Sequence, residues 1–214
     1  MFQIVLQIYT FVVLFQIKNL QPMKKVTIVA FDRFTDIDVF LPWDLFNRAR
    51  LKDKNFQVKI VGTAPVHTSA AGIELKMQGT IADCMDADVV FFSSGSGTRA
   101  LYKNPEYLQQ FHLDTDRQIV CSMCSGALIL AGLGLLDGLT ATTYPTAVTA
   151  LEEMGVEVLD DMHFVAHGNV ATAAGCLAAL DLVGWCLEKL YDADMKEAVL
   201  ASVQPIGQGQ VCIY

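Results

Sequence analysis

Two cysteines three residues apart, Cys121 and Cys124, sit in "IVCSMCSGALILAGLGLLDG" (119–138), where an apolar run meets small residues. The run up to Met123 reads as a strand, and the apolar residues beyond Gly126 read as a helix. Cys124-Ser125-Gly126 is then the turn between them. A sharp strand-to-helix turn lifts its side chain above the sheet and needs small neighbours, because the turn is crowded. At a helix start the unpaired N–H groups and the positive end of the dipole favour a thiolate. The Ser125 amide would point toward negative charge developing on a substrate held by Cys124. A nucleophile fits this pattern, and so does a buried core cysteine. Cys121 lies inside the strand and reads as a small buried hydrophobe. A thioredoxin-type CxxC would place both cysteines at the start of one helix, whereas here the first belongs to the strand.

A catalytic thiol needs a proton partner. His163 and His167 have HxxxH spacing, but the Gly168-Asn169 turn puts them on strand material, so they need not face the same way. His67 and His112 read as surface or loop residues. The acidic stretch "FDRFTDIDVFLPWDLF" (31–46) is more informative, because it follows the first strand and so shares a sheet edge with Cys124. Pro42 cannot donate, and its ring would clash with the carbonyl of Asp38 in a regular helix. The chain near Asp38 is therefore expected to kink, or the helix to start later, and that irregularity can turn the Asp38 carboxyl into the site. Helix capping is the plainer reading of Asp38 and of Asp36, and Asp44 reads as a solvated helix residue. "SSGSG" (93–97) ends another strand, and the amides at Gly95 and Gly97 could approach a ligand closely. It is neither a P-loop nor a GxGxxG, so it carries no nucleotide signal. A tight strand-to-helix loop is its plain reading.

The elements that must position these groups alternate. Strands are expected at 26–31, 56–62, 87–95, 118–123 and 139–143. Helices are expected at about 37–49, 98–102, 105–111, 125–131, 145–154, 175–191 and 195–202. Small hairpins are expected at 65–79 and around Gly168-Asn169. Such alternation implies an α/β fold with a mostly parallel sheet sandwiched by helices, and sites at the carboxyl ends of its strands. A hydrophobic content of 53% and a charged content of 18% suit a sheet buried on both faces and exclude a disordered chain. A net charge of −8 without a basic block argues against a nucleic-acid surface. Six cysteines in 214 residues are too sparse for a disulfide scaffold and suit a reducing, cytoplasmic setting. Residues 1–22 form an apolar extension interrupted by Gln3, Gln7 and Gln16. It is short for a membrane span and lacks the marks of a secretory signal. Met23 reads as the functional start of a single domain over 23–214, with a membrane anchor or a docked terminal element as the alternatives for the leader.

Together these pieces resemble the ThiJ/PfpI superfamily, within the class I glutamine-amidotransferase-like, flavodoxin-like fold. The resemblance runs from about Lys24 to about Tyr191 and is carried by "DVFLPWDLF", "DVVFFSSGSGTRAL", "IVCSMCSGALILAGLGLLDGLTATT" and "GNVATAAGCLAALDLV". The pattern is most similar to the isonitrile hydratase branch, which has Asp where this chain has Asp38 and a small hydroxyl residue after the cysteine, as Ser125 here. The protease and chaperone-glyoxalase branches place His directly after the nucleophile. The resemblance implies Cys124 as nucleophile and Asp38 as its carboxyl partner. It implies Ser125, Ser94, the Gly95 backbone and Tyr144 as site-lining groups, a small electrophilic substrate, a homodimer, and no cofactor or metal. Two departures stand out: Ser93-Ser94-Gly95 replaces "PGG", and "ATTYP" replaces "ATTHW", so Tyr144 takes the place of a histidine. Hydration of an isocyanide, redox or ligand sensing without turnover, and glyoxalase-like work on α-oxoaldehydes are the activities this implies.

Overall fold

The computed structural model describes residues 23–205; the apolar extension at 1–22 and residues 206–214 lie outside the described part. In chain order the strands are β1 (Lys24–Val29), β2 (Phe56–Gly62), β3 (Val66–Thr68), β4 (Glu74–Lys76), β5 (Gly79–Thr80), β6 (Val89–Phe92), β7 (Ile119–Met123), β8 (Thr140–Ala141), β9 (Glu157–Val158), β10 (Phe164–His167) and β11 (Val170–Ala173). The helices are α1 (Asp36–Arg48), α2 (Thr98–Leu101), α3 (Pro105–Leu108), α4 (Ala127–Gly132), α5 (Val148–Glu152), α6 (Ala179–Leu190) and α7 (Ala193–Ala201).

Seven strands form the central sheet, in the order β10-β11-β7-β6-β1-β2-β5. All of its pairs are parallel except the edge hairpin β10–β11. The expected sheet of parallel strands is thus closed at one edge by the hairpin that Gly168-Asn169 announced. The 65–79 hairpin stands apart as the pair β3–β4, and the strand expected at 139–143 shortens to β8, which pairs with β9 outside the main sheet. The central strands are mostly apolar because helices cover both faces: Ile28, Phe91, Val120 and Cys121 are fully buried. Each large side chain removed from water in this way contributes about 1.5–3 kcal/mol.

Register decides what meets at the sheet edge. Val29 lies beside Phe92, Phe92 beside Ser122, and Met123 beside Ala173. The carboxyl ends of β1, β6, β7 and β11 therefore finish side by side. The segments that leave them, 31–38, 93–97, 124–126 and 174–176, start from one place. No described helix is long and apolar enough to cross a membrane.

Candidate active site

The turn after β7 is a tight one. Cys124 has φ of 46°, a left-handed conformation that costs a residue with a Cβ strain energy. A short 3-10 turn, Cys124–Gly126, then leads into α4, so the helix begins two residues later than its apolar pattern suggests. A side chain at Gly126 would put its Cβ 2.6 Å from the Ser93 carbonyl oxygen, which explains the small residue there. The Cys124 carbonyl accepts a hydrogen bond from Thr143 Oγ1 at 2.8 Å, which anchors the elbow from the far side.

Asp38 arrives from α1. Thr35 is the N-cap residue and Asp38 lies in the first turn, its N–H donating to the Thr35 carbonyl at 3.1 Å. The sequence suggested a kink or a later start; the helix does not start later but begins at Asp36, and it carries Pro42 inside it. Asp36 is a first-turn residue rather than the cap, and Asp44 pairs with Arg48 at 2.7 Å. What aims the Asp38 carboxyl is the start of α1 on the carboxyl end of β1. The Thr35 N–H donates to the Ser94 carbonyl at 2.8 Å, and Phe34 bridges Gly95, which locks this turn to the 93–97 loop. Asp38 is 1% exposed; its Oδ2 accepts a short hydrogen bond from Ser94 Oγ, and Oδ1 has no hydrogen-bond partner.

The six residues predicted for the site, Cys124, Asp38, Ser125, Gly95, Ser94 and Tyr144, all line one cavity of about 420 Å³. Their roles differ from expectation in detail. The Gly95 N–H, expected to face a ligand, donates to Ser125 Oγ at 3.3 Å, and the Ser125 hydroxyl also contacts Thr98 Oγ1 at 3.2 Å. Ser125 therefore ties the elbow to the 93–97 loop. Gly95 has φ of 149°, and a Cβ there would sit 2.2 Å from the Arg33 carbonyl, so this loop accepts glycine alone. Tyr144 stands at the rim, 46% exposed.

The main electrostatic expectation is reversed. Burial pushes the Cys124 thiol up to about 12, the negative charge of Asp38 adds to this, and a hydrogen bond from the Gly175 backbone offsets part of it. The shift is toward a protonated thiol, opposite to the resting thiolate expected from the helix start. The helix-end amides are outweighed because Cys124 is only 4% exposed and its thiol lies beside Asp38.

Sequence reasoning missed Cys176. It lines the same cavity, and its sulfur, the Cys124 sulfur and an Asp38 carboxylate oxygen all lie within 4.8 Å of one another. Burial and Asp38 push its thiol up to about 11. The sequence signal was partial: "AAGC" follows strand material, but only the parallel pairing of β11 with β7 brings it to the edge that holds Cys124. Arg99 was also missed. It lines the cavity, with its guanidinium donating to Thr98 Oγ1 at 2.9 Å and to the Thr146 carbonyl at 3.0 Å.

The histidines fall elsewhere. His67, expected in a loop or on the surface, is 3% exposed, because β3 folds back over the turn after β1 and sets its ring 3.3 Å from Asp32. His112 is exposed, as expected. His163 contacts Asp181 at 3.0 Å and His167 contacts Thr140 at 2.9 Å, so the HxxxH pair takes separate partners.

Three comparisons bear on this geometry. The family model described as the DJ-1/PfpI family matches residues 24–189. Among curated proteins, the isonitrile hydratase of Pseudomonas putida is 28% identical over 172 residues, covering 80% of this chain and 74% of that protein. Among solved structures, a ThiJ/PfpI family protein from Pseudomonas syringae superposes with a TM-score of 0.74 at 26% identity, covering 90% of this chain and 82% of that one. Schizosaccharomyces pombe DJ-1 superposes with a TM-score of 0.72 at 21% identity, covering 85% and 99% respectively. The sheet order and the flanking helices described above are therefore those of an established α/β fold.

Proposed function

The chain belongs to the DJ-1/PfpI family, and from that premise we propose that it is a cysteine-dependent hydratase that converts isocyanides to N-substituted formamides. The observation that carries this reading is the strained elbow thiol of Cys124 facing the buried Asp38 across a cavity, with Ser125 rather than histidine next in the chain. The named activity of the Pseudomonas putida relative supports it.

An isocyanide is electrophilic at its terminal carbon. The Cys124 sulfur bonds to that carbon as its proton passes to Asp38, and Asp38 delivers the proton to the same carbon, giving a thioimidate on the enzyme. Water then adds across the carbon–nitrogen double bond, its hydroxyl to carbon and its proton to nitrogen. The carbon–sulfur bond breaks, the hydroxyl proton returns to sulfur, and the formamide leaves. The sum is one isocyanide plus one water giving one formamide. A protonated resting thiol suits this cycle, because the proton that must reach carbon is already on sulfur beside its relay. A homodimer in the cytoplasm, acting on a small electrophile, completes the proposal.

Purified protein mixed with an alkyl isocyanide is expected to release the matching formamide, and the Cys124→Ser variant is expected to release none. No turnover by the wild type, or full turnover by the variant, removes the hydratase reading. Lactate formed from methylglyoxal in place of formamide would move the assignment to glyoxalase-like chemistry.

A further inference from the structure

We propose that Asp38, Cys124 and Cys176 together bind a thiophilic divalent cation of the zinc class. Three segments supply the donors: the first turn of α1, the elbow after β7, and the turn after β11. Their two sulfurs and one carboxylate oxygen lie within 4.8 Å of one another and line a single cavity. Asp38 is 1% exposed, and its Oδ1 has no hydrogen-bond partner. Both thiols hydrogen-bond to this carboxyl, and a cation that replaced their protons would give Oδ1 the partner it lacks.

Distances favour coordination over a cystine. Tetrahedral zinc, with Zn–S about 2.3 Å, holds two sulfurs about 3.8 Å apart. The cluster as found needs to contract by about 1 Å at most to reach that separation. A disulfide would require the sulfurs to close to about 2.05 Å. Cys176 is the donor free to make the adjustment, since it is only half-buried and opens the short 3-10 turn Cys176–Ala178. Two sulfurs with one carboxylate form a soft donor set, which selects zinc or cadmium over magnesium or calcium. The fourth coordination position would open into the cavity and take water. On binding, the two thiol protons leave to solvent, and neither sulfur nor metal changes oxidation state.

Other thiol and histidine groupings among the described residues offer no equivalent. Cys121 and Cys186 face each other at 3.8 Å, but both are fully buried and outside the cavity. The HxxxH histidines are held by Asp181 and Thr140. An ion on the Cys124 sulfur and the Asp38 oxygen would occupy both groups used in the proposed hydration, so it would inhibit that reaction. The site itself does not depend on the hydratase reading, and its test reads binding rather than turnover.

The full chain, reduced and freed of metal with a chelator, is titrated with cobalt(II) and then zinc. The expected result is one cobalt per chain with a thiolate-to-cobalt charge-transfer band, lost as zinc displaces it. With zinc bound, peptide mass mapping after maleimide treatment is expected to find Cys124 and Cys176 both shielded. Cys176→Ser is expected to weaken zinc binding by on the order of 100-fold, whereas Cys212→Ser leaves it unchanged. Absence of the charge-transfer band, zinc affinity in Cys176→Ser equal to that of the wild type, or binding that depends on Cys212 would overturn the proposal. If Cys176→Ser fails to fold, the wild-type shielding decides alone: zinc that leaves Cys176 as reactive as before refutes the site.

Discussion

The described residues contain two cysteine pairs built from the same two stretches of chain. Cys121 and Cys124 are three residues apart around the end of β7, and each faces a cysteine from the segment that follows β11, Cys186 and Cys176 respectively. Burial raises the thiol of Cys121 as it raises that of Cys124. Yet the first pair is fully buried between the sheet and α6, and the second opens into a cavity with a carboxylate beside it. Thiol content and desolvation are common to both pairs. What separates them is three residues of strand, the distance from the middle of the sheet to its carboxyl edge, where the chain turns and side chains no longer pack against a covering helix.

The most severe way to break this comparison is to exchange the reactivities of the two cysteines. Cys124→Ser should lower formamide production by on the order of 10⁴-fold, as loss of a nucleophile does, while Cys121→Ala should keep kcat within about twofold of wild type. Comparable losses in the two variants, with both folded, would mean that the sheet edge confers nothing. Asp38→Asn keeps the size and the Ser94 contact but cannot relay a proton. It should cost about 10²–10³-fold in kcat with little change in KM. A loss confined to KM would show that Asp38 positions substrate and moves no proton.

The edge is held open by backbone fit, which Gly95→Ala tests. The new Cβ would meet the Arg33 carbonyl at 2.2 Å in a conformation that side chains avoid, so about 3 kcal/mol of stability should be lost. Urea denaturation would measure it. A loss below about 1 kcal/mol would show that the 93–97 loop yields easily.

A fourth test bears on proton ownership. With the Cys124 thiol pushed up to about 12, the thiolate is the minor form at neutral pH, and its fraction rises about tenfold with each pH unit below that value. Iodoacetamide labelling of Cys124 should therefore climb tenfold per unit through the alkaline range without levelling. A plateau near neutral pH would restore the ionised thiol that the helix-end argument suggested. Because the group is an acid whose folded value lies above its unfolded one, its linked stability is present below the unfolded value and falls as pH rises beyond it.

The ease of reading the sequence followed the same geography. Strands and helices were legible because the central strands are rich in apolar, β-branched residues and the helices are bounded by glycine, proline and small residues. Cys124 and Asp38 were legible because each follows a strand that must be parallel to the other, which places both at one edge. Cys176 was not, because "GCLAALDLV" reads as an apolar helix start, and only the register of β11 against β7 shows that it arrives beside Cys124. The upward shift of the thiol was not legible because amides at a helix start are local in sequence, whereas the burial and the carboxyl that oppose them come from distant segments. His67 misled for a similar reason: its burial depends on how β3 folds over Asp32, and nothing in "PVHTS" records that.

The smallest predicted effect is the one that isolates the sealed pair. Cys186 touches Cys121 across 3.8 Å and nothing chemical follows from it, so Cys186→Ala should remove packing alone. The expected cost is about 1 kcal/mol, read as a lowered denaturation midpoint with an unchanged slope, and formamide production should stay within about twofold of wild type. The reason to expect silence is distance in kind rather than in ångströms: α6 is rooted in the same turn that carries Cys176, and the two cysteines are ten residues apart in sequence. If Cys186→Ala slowed turnover while leaving the fold intact, the helix would be setting the position of Cys176 through its own packing. The sealed pair would then be part of the machinery that aims the open one.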